Sequence, residues 1–405
     1  MRPNELVWRG YARKNGKKGV RDKLLVVHTV ECSSHVAGKI AAAAGARAEA
    51  IGFAGCGDNA YAVRVLASLV RHPNVGAVLA VGLGCESIQA KKLAEAAAGE
   101  GKGADWLAIQ EAGGTLKAIE KGVASARRLL AALDNTPRVE MGLADLIVGG
   151  ECGGSDFTSG LAGNVVAGRF FDLLVDAGGT AIFEEILEAI GLRDLLAARG
   201  ADAEVRRRLG AVYDKALAYC RAVRQYSISP GNFAGGLTTI EEKSMGAVIK
   251  SGNRPIQGVL KVGVPPPRPG LWLLDTTPDP HWTRYGISNP NDNEGLTALI
   301  ATGCHLVLFI TGRGNVVGNA VAPVVKVTGN SATFAAMGDD MDFNAGTVLS
   351  GETSLAEAAA GLARLVAATA GGEPSKSELL GHCEYHIPYK YQDPDPGRSA
   401  PGREE

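Results

Sequence analysis

Between Lys23 and Leu133, short apolar runs bounded by glycine or β-branched residues alternate with Ala-rich amphipathic stretches, a rhythm that admits little besides successive βα units on a parallel sheet. Leu24 to Val30, Ala50 to Ala54, Val75 to Leu83 and Trp106 to Gln110 read as strands. His35 to Ala44, Ala60 to Val70, Ile88 to Ala98 and Thr115 to Leu133 read as the helices that follow them, with a hydroxyl of Ser33 or Ser34 capping the first. The fold class expected is therefore α/β: a Rossmann-like parallel-sheet domain over residues 23–140, after an N-terminal extension of residues 1–22.

Past Arg138 the rhythm changes, and a second α/β domain is expected over residues 141–383. Its first strand is Leu146 to Gly150, followed by the turn ECGGSDFTSG, a helix from Leu161 to Ala177 and the strand-like run GGTAIFEE. Arg193 to Gln225 reads as helix, and SISPGNFAGGLTTIEEKSMGAV reads as a loop in its polar, Gly-rich first half. VPPPRPG is an extended connector, because its prolines lack donors and restrict the residues before them. Leu271 to Asp275 and Leu306 to Thr311 are the next strands, with the polar loop SNPNDNEG between them. Residues 384–405, polar and proline-bearing, are expected to be disordered or draped on the surface.

Four of the seven cysteines, Cys32, Cys56, Cys85 and Cys152, stand where an apolar run gives way to a Gly/Ser/Asn turn. Thiolates suit iron or zinc, and a helix N-terminus favours the thiolate, so these four are the candidate metal ligands; the bland alternative is that free Cys is a small apolar residue. Glycine-flanked turns at Asp58 and Asn59, Gln110 to Thr115, Cys152 to Asp156 and Thr311 to Asn315 can bare backbone N–H groups to an anion. In the last of these, Arg313, with Asn315 beside it, is the best clamp for a carboxylate or sulfonate; Ser155 and Asp156 form a second acid-holding turn, in which Asp156 is also a catalytic candidate. The loop PGNFAGGLTTIEEKS adds Asn232, Thr238 and Thr239 as substrate contacts and Glu242 or Lys243 as the proton-handling group. The run GDDMDFNAG lacks the spacing of an EF-hand, and His72 and His382 are read as capping or packing.

Acids and bases nearly cancel, leaving a formal net charge of -1, so nucleic acid and anionic membranes are not expected partners. The first apolar run is too short for a signal peptide, and seven scattered thiols suit a cytosolic address. No run has the GxGxxG or GK[ST] pattern, so a nicotinamide dehydrogenase is a poor reading.

The strings GYARKNGKKGVRDKLLVVHTVECSSHVA, RHPNVGAVLAVGLGCE, IQEAGGT, CGGSDFTSG, SPGNFAGGLTTIEEKSMGA, TGRGNVVGNAVAPVVKVTGN and DDMDFNAG occur in an order that resembles the large catalytic portion of the altronate and galactarate dehydratase family, from about Gly10 to His382. GFAGCGDN, LWLLDTTPD and SNPNDNEGLTALIATGCHLVLF most resemble its sulfolactate sulfo-lyase branch. The resemblance implies iron(II)-dependent elimination from a hydroxy acid, the iron being a single ion or a cluster: water from a sugar acid to give a 2-keto-3-deoxy acid or, as the alternative, sulfite from sulfolactate to give pyruvate. It places Cys56, Cys85 and Cys152, with Cys32 in reserve, at or near the iron. Where altronate-type members carry a histidine, four residues before the second cysteine, this chain has Gly52. The family's small β-rich domain is not in the strings, so a separately encoded β-rich subunit and an oligomer are expected. The competing class is a non-catalytic small-anion-binding protein, which would carry no metal and keep its affinity after Cys56→Ala or Cys152→Ala.

Overall fold

A computed structural model describes residues 5–224, 226, 228–280 and 291–393. Fourteen strands are described: β1 (Val7–Ala12), β2 (Lys18–Gly19), β3 (Lys23–His28), β4 (Ala48–Gly52), β5 (Val75–Gly82), β6 (Gly103–Ala108), β7 (Arg138–Gly142), β8 (Ile147–Cys152), β9 (Thr180–Phe183), β10 (Ile256–Lys261), β11 (Gly270–Asp275), β12 (Leu306–Thr311), β13 (Val324–Thr328) and β14 (Phe343–Asn344). A four-stranded parallel sheet has the order β4-β3-β5-β6, and a seven-stranded parallel sheet the order β10-β11-β9-β8-β12-β13-β14. The mixed α/β class follows. A small antiparallel sheet, β2-β1-β7, ties the residues read as an extension to the start of the second half.

Strands β3, β5, β8, β11 and β12 are apolar, almost wholly buried runs, which is why they show in the sequence. Strands β10 and β13 escape notice because each carries a lysine, Lys261 and Lys326, that the fold nevertheless buries. The first helix, Glu31–Ala44, begins earlier than its expected serine cap. Ser33 is buried and donates to the Val30 and Val81 carbonyls, so neither serine caps and Cys32 falls inside the first turn. The long helix expected from Arg193 is two, Arg193–Ala198 and Ala203–Val223, split where Gly200 bridges to Ile256 and Asp202 caps the second; its expected end, Gln225, lies outside the described residues.

The helix Ala60–Arg71, capped by Asn59, buries Tyr61, Val65 and Leu69 on one stripe and Ala62, Leu66 and Val70 beside it. It packs with the helix Asp292–Ala301 in one apolar cluster that also takes in Ile182, Trp272 and Leu274 of the larger sheet and Leu25 and Val27 of the smaller. Each such aliphatic side chain contributes about 1.5–3 kcal/mol when fully buried, so the two sheets share a core. At their amino ends the sheets are pinned by two buried histidines: Nε2 of His305 contacts the Lys18 carbonyl at 2.9 Å while Nδ1 accepts from Ile147, and Nε2 of His72 contacts the Cys304 carbonyl at 3.1 Å.

The tail differs from expectation as far as it is described. Residues 384–393 are a strap laid across both sheets: Tyr385 pairs with Nε2 of His28 at 2.7 Å, Tyr389 donates to the Asp58 carbonyl, and Gln392 donates to the Asp275 carbonyl. Lys390 and Gln392 are each 3% exposed, held by carbonyl acceptors that composition alone does not reveal. Residues 394–405, and the 288–290 part of the expected polar loop, lie outside the described residues. Among the described residues no helix is long and apolar enough to cross a membrane.

Candidate active site

The carboxyl edge of the seven-stranded sheet gathers acidic side chains from strand ends and from the segments that follow them. Glu151 is the penultimate residue of β8, Glu184 and Glu185 follow β9, and Asp275 ends β11. Ligand oxygens of Glu151, Glu184 and Glu185 lie within 4.8 Å of one another, the one such grouping of three acids, histidines or cysteines among the described residues. Asp292 and Glu294, on the first turn of the helix Asp292–Ala301, complete the ring. Gly295 makes the approach possible: a Cβ there would lie 2.4 Å from Oε1 of Glu184 and 2.7 Å from Oε2 of Glu151. That turn is capped by Asn291, whose side-chain oxygen accepts from the Glu294 N–H at 3.1 Å, and it lies at the favourable end of the helix dipole for the acids.

Cations interleave with these acids. Lys250, fully buried, is ion-paired with Glu185 and lies 3.1 Å from the Cys152 sulfur. Lys243 pairs with Glu188 at 2.5 Å, and Lys390 of the strap pairs with Glu294 and donates to the Thr276 carbonyl at 2.6 Å. Burial, and then the negative Glu184, push the Glu151 carboxyl well above its ordinary range; burial also raises Glu184, against the hydrogen bond from Thr276, and burial takes Asp292 to about 6. Oε2 of Glu151 is buried and has no hydrogen-bond partner. An orphaned carboxylate oxygen, two further carboxylates in reach and a glycine-lined gap suit a hard divalent cation bound through oxygen. The cavity here measures about 70 Å³, room for an ion with a water or two.

A second cavity, of about 400 Å³, adjoins on the far side of Lys243 and has the size of a small-ligand pocket. Its lining includes four of the side chains singled out from sequence, Ser155, Asp156, Glu242 and Lys243. Their roles diverge. Asp156 is a keystone: Oδ1 accepts from Thr158 and Ser159 and Oδ2 from Asn330, which leaves it little capacity for catalysis. Ser155 donates to the Gly153 carbonyl, and Asn232 donates to the Ser155 carbonyl at 3.0 Å. Thr239 caps the helix Ile240–Ile249, and Glu242 turns back to accept from Thr238, so this carboxylate is a helix clasp and its pKa is lowered by those hydrogen bonds. Lys243, one residue on, points inward. Arg313 is exposed and donates to the Gly231 carbonyl, while Asn315 reaches Asp292 at the rim of the acidic ring.

The four cysteines do not come together. Cys152 is buried beside Lys250, whereas Cys32, Cys56 and Cys85 are exposed at the carboxyl edge of the other sheet. Strand β8 belongs to the seven-stranded sheet and β3, β4 and β5 to the four-stranded one, so a shared position at a strand end did not bring a shared edge. The residues missed in the sequence are Glu151, Glu184, Glu185, Glu188, Lys250, Asp292, Glu294 and Lys390. A usable signal was present for three of them: IVGGEC and TAIFEE set acids at the ends of wholly apolar strands, where open α/β sheets carry their sites. Gly52 is explained as well. A Cβ there would lie 2.3 Å from Cγ of His28, so the imidazole of β3 fills the space that a side chain on β4 would take.

Residues 10–134 match the family model described as D-galactarate dehydratase/Altronate hydrolase, second domain, and residues 143–392 match D-galactarate/Altronate dehydratase, C-terminal. Altronate dehydratase of Bacillus subtilis is 33% identical over 363 residues, covering 84% of this chain and 69% of the relative. Altronate dehydratase of Escherichia coli is 34% identical over 367 residues, 84% and 70% of the two chains. The (2R)-sulfolactate sulfo-lyase subunit beta of Chromohalobacter salexigens is 32% identical over 393 residues, 95% of this chain and 97% of the relative. The chain thus belongs to the D-galactarate/altronate dehydratase family and is a carbon-oxygen or carbon-sulfur lyase.

Proposed function

We propose that this chain is the large subunit of a hydro-lyase that eliminates water from a sugar acid to give a 2-keto-3-deoxy acid. The observation that carries the reading is the ring of Glu151, Glu184 and Glu185 set beside the Lys243–Glu188 pair. Glu151, Glu184 and Glu185 would hold a divalent cation, iron(II) in our reading, which would supply Lewis-acid stabilisation of the negative charge that develops when a proton leaves the carbon next to a carboxylate. The chain's own groups do the rest. Glu188 takes that proton, the electron pair moves into the new double bond, and Lys243 gives a proton to the departing hydroxide. The pair, 2.5 Å apart, then returns the proton from Glu188 to Lys243. The enol left behind becomes the keto acid. Lys250 and Lys390 hold the acidic ring in place by neutralising part of its charge. The substrate sits in the larger cavity, with Ser155, Thr238, Asn232 and the rim residues Arg313 and Asn315 toward its acid groups.

The second reading is sulfolactate cleavage to pyruvate and sulfite, where the leaving group needs no proton. It is favoured by the match over nearly the full length of a sulfo-lyase beta subunit, and by the His28 ring that closes position 52. That relative's name implies a partner subunit, and we extend this to a small, separately encoded β-rich subunit here. A cytosolic address accords with seven free thiols. Anaerobic assays of altronate, galactarate and sulfolactate with iron(II), with and without the small subunit, following keto acid and sulfite separately, test both. Keto acid without sulfite supports the first reading and sulfite the second. Neither product with the partner present contradicts the proposal.

A further inference from the structure

We propose that Thr276 is a positioning residue of the acidic ring: its hydroxyl holds one oxygen of Glu184, so that the other is turned toward Gly295 and Glu151. The inference rests on the reading of that ring as a divalent-cation site, and gives a residue outside the three carboxylates a part in it.

The sheet brings the two side chains together. Strand β11 lies parallel to β9, with Leu273 opposite Phe183, so the segments that leave the two strands run side by side. Glu184 follows β9, Thr276 follows β11, and both are buried. The Thr276 hydroxyl donates to Oε2 of Glu184 at 2.8 Å. Oε1 of the same carboxylate and Oε2 of Glu151 both lie against Gly295, 2.4 Å and 2.7 Å from the point that a Cβ would take there. The two oxygens of Glu184 therefore have separate tasks. With Oε2 fixed, the carboxylate cannot turn about its last bond without breaking a buried hydrogen bond, and such outer partners are what orient the groups that bind a metal.

The hydroxyl is delivered from a rigid backbone. The Thr276 carbonyl accepts from Nζ of Lys390 at 2.6 Å, and Gln392 of the same strap donates to the carbonyls on either side, Asp275 at 2.7 Å and Thr277 at 3.2 Å. Asp275 is anchored in turn. Its Oδ2 accepts from Lys215 at 2.5 Å and from Lys261 at 2.6 Å, and its Oδ1 accepts from the Thr277 N–H at 3.0 Å. A β-branched side chain on a backbone held in this way has little rotational freedom, which suits threonine to the task. Thr277 supplies the contrast: it is fully buried one residue on, yet its hydroxyl has no hydrogen-bond partner among the described residues. Two adjacent buried threonines thus differ in whether the hydroxyl reaches Glu184.

Manganese(II) titrations of the metal-free full chain, read by electron paramagnetic resonance, test this in the wild type, Thr276→Val, Thr276→Ala, Thr276→Ser and Thr277→Val, with circular dichroism to check folding. Thr276→Val and Thr276→Ala both lose the donor, and each should bind about 10–100-fold more weakly, the usual cost of removing an outer partner. Thr276→Ser restores the donor and should stay within a few-fold of the wild type, as should Thr277→Val. Wild-type affinity in either donor-less variant would overturn the proposal. Weakening in Thr276→Ser or Thr277→Val as large as in Thr276→Val would overturn it too, since the effect would then be one of packing. A wild type that binds no manganese(II) would instead strike the cation-site reading itself, and this proposal with it, so the two failures are told apart.

Discussion

The two parallel sheets end in opposite chemistry. The four-stranded sheet meets solvent with exposed thiols, glycine turns and uncapped helices, while the seven-stranded sheet ends in carboxylates and ammoniums that are themselves buried. The difference is one of softness and of burial. Sulfur needs no partner to be tolerated at a surface, so a soft site can stay open. Buried acids require cations and hydrogen bonds around them, and a hard site therefore arises only where the fold supplies both. Lys390, delivered by the strap, and Gly295, which lets two carboxylates meet a helix end, are what the larger sheet has and the smaller lacks.

The contrast breaks most easily at the acids. Glu184→Gln should lower turnover on the order of 10³-fold, the upper range for losing one charge-stabilising group, with melting temperature little changed; steady-state kinetics and calorimetry would check this. Acid attacks the join between the sheets. Burial lowers His305 to about 4 and His72 well below its ordinary value, so each is neutral in the folded chain. Below the unfolded value of about 6.5 the unfolded chain binds protons that the folded one refuses, so stability falls as pH drops from about 6.5 toward 4. For His305 alone the loss is on the order of 3 kcal/mol. Denaturant titrations between pH 7 and 4 should show it as one transition, because both sheets share the core. His305→Asn should flatten the slope.

Gly295→Ala sharpens the comparison without altering any charge. Its methyl group would displace the Glu184 and Glu151 oxygens, and activity should fall by about 10²-fold, the cost of misplacing a reacting group by about an ångström. The smallest effect is expected at Glu242. Glu242→Gln should cost only about 0.5–1 kcal/mol of stability by weakening the helix start, and leave kcat within a few-fold of wild type. A collapse of kcat there would return the base to the residue that sequence suggested.

Much of the frame was legible because it rests on period and composition. The strand β12 stands where it was read, Leu306–Thr311, and β11 begins one residue earlier, at Gly270, because each is an unbroken apolar run. The three-stranded antiparallel sheet was not, since β1 and β7 are half-exposed and pair across more than a hundred residues. In the site, Lys243 was found through its motif and Glu242 was found with it, yet helix geometry sends the two side chains to different places. Lys390 was illegible: a lysine between two tyrosines in a polar stretch looks like tail, and only the carbonyl of Thr276 and the carboxylate of Glu294 make its burial possible. The four cysteines shared a local signature, but whether two strands lie in one sheet depends on long-range pairing that no turn encodes.

The central claim is that the hard cation belongs to the acidic ring and not to the thiols. Titration of the metal-free full chain with manganese(II), followed by electron paramagnetic resonance, measures this directly. One site is predicted in the wild type, abolished or strongly weakened by Glu151→Gln and intact when Cys32, Cys56 and Cys85 are all serine. Binding that survives Glu151→Gln and disappears with the three thiols would contradict the account.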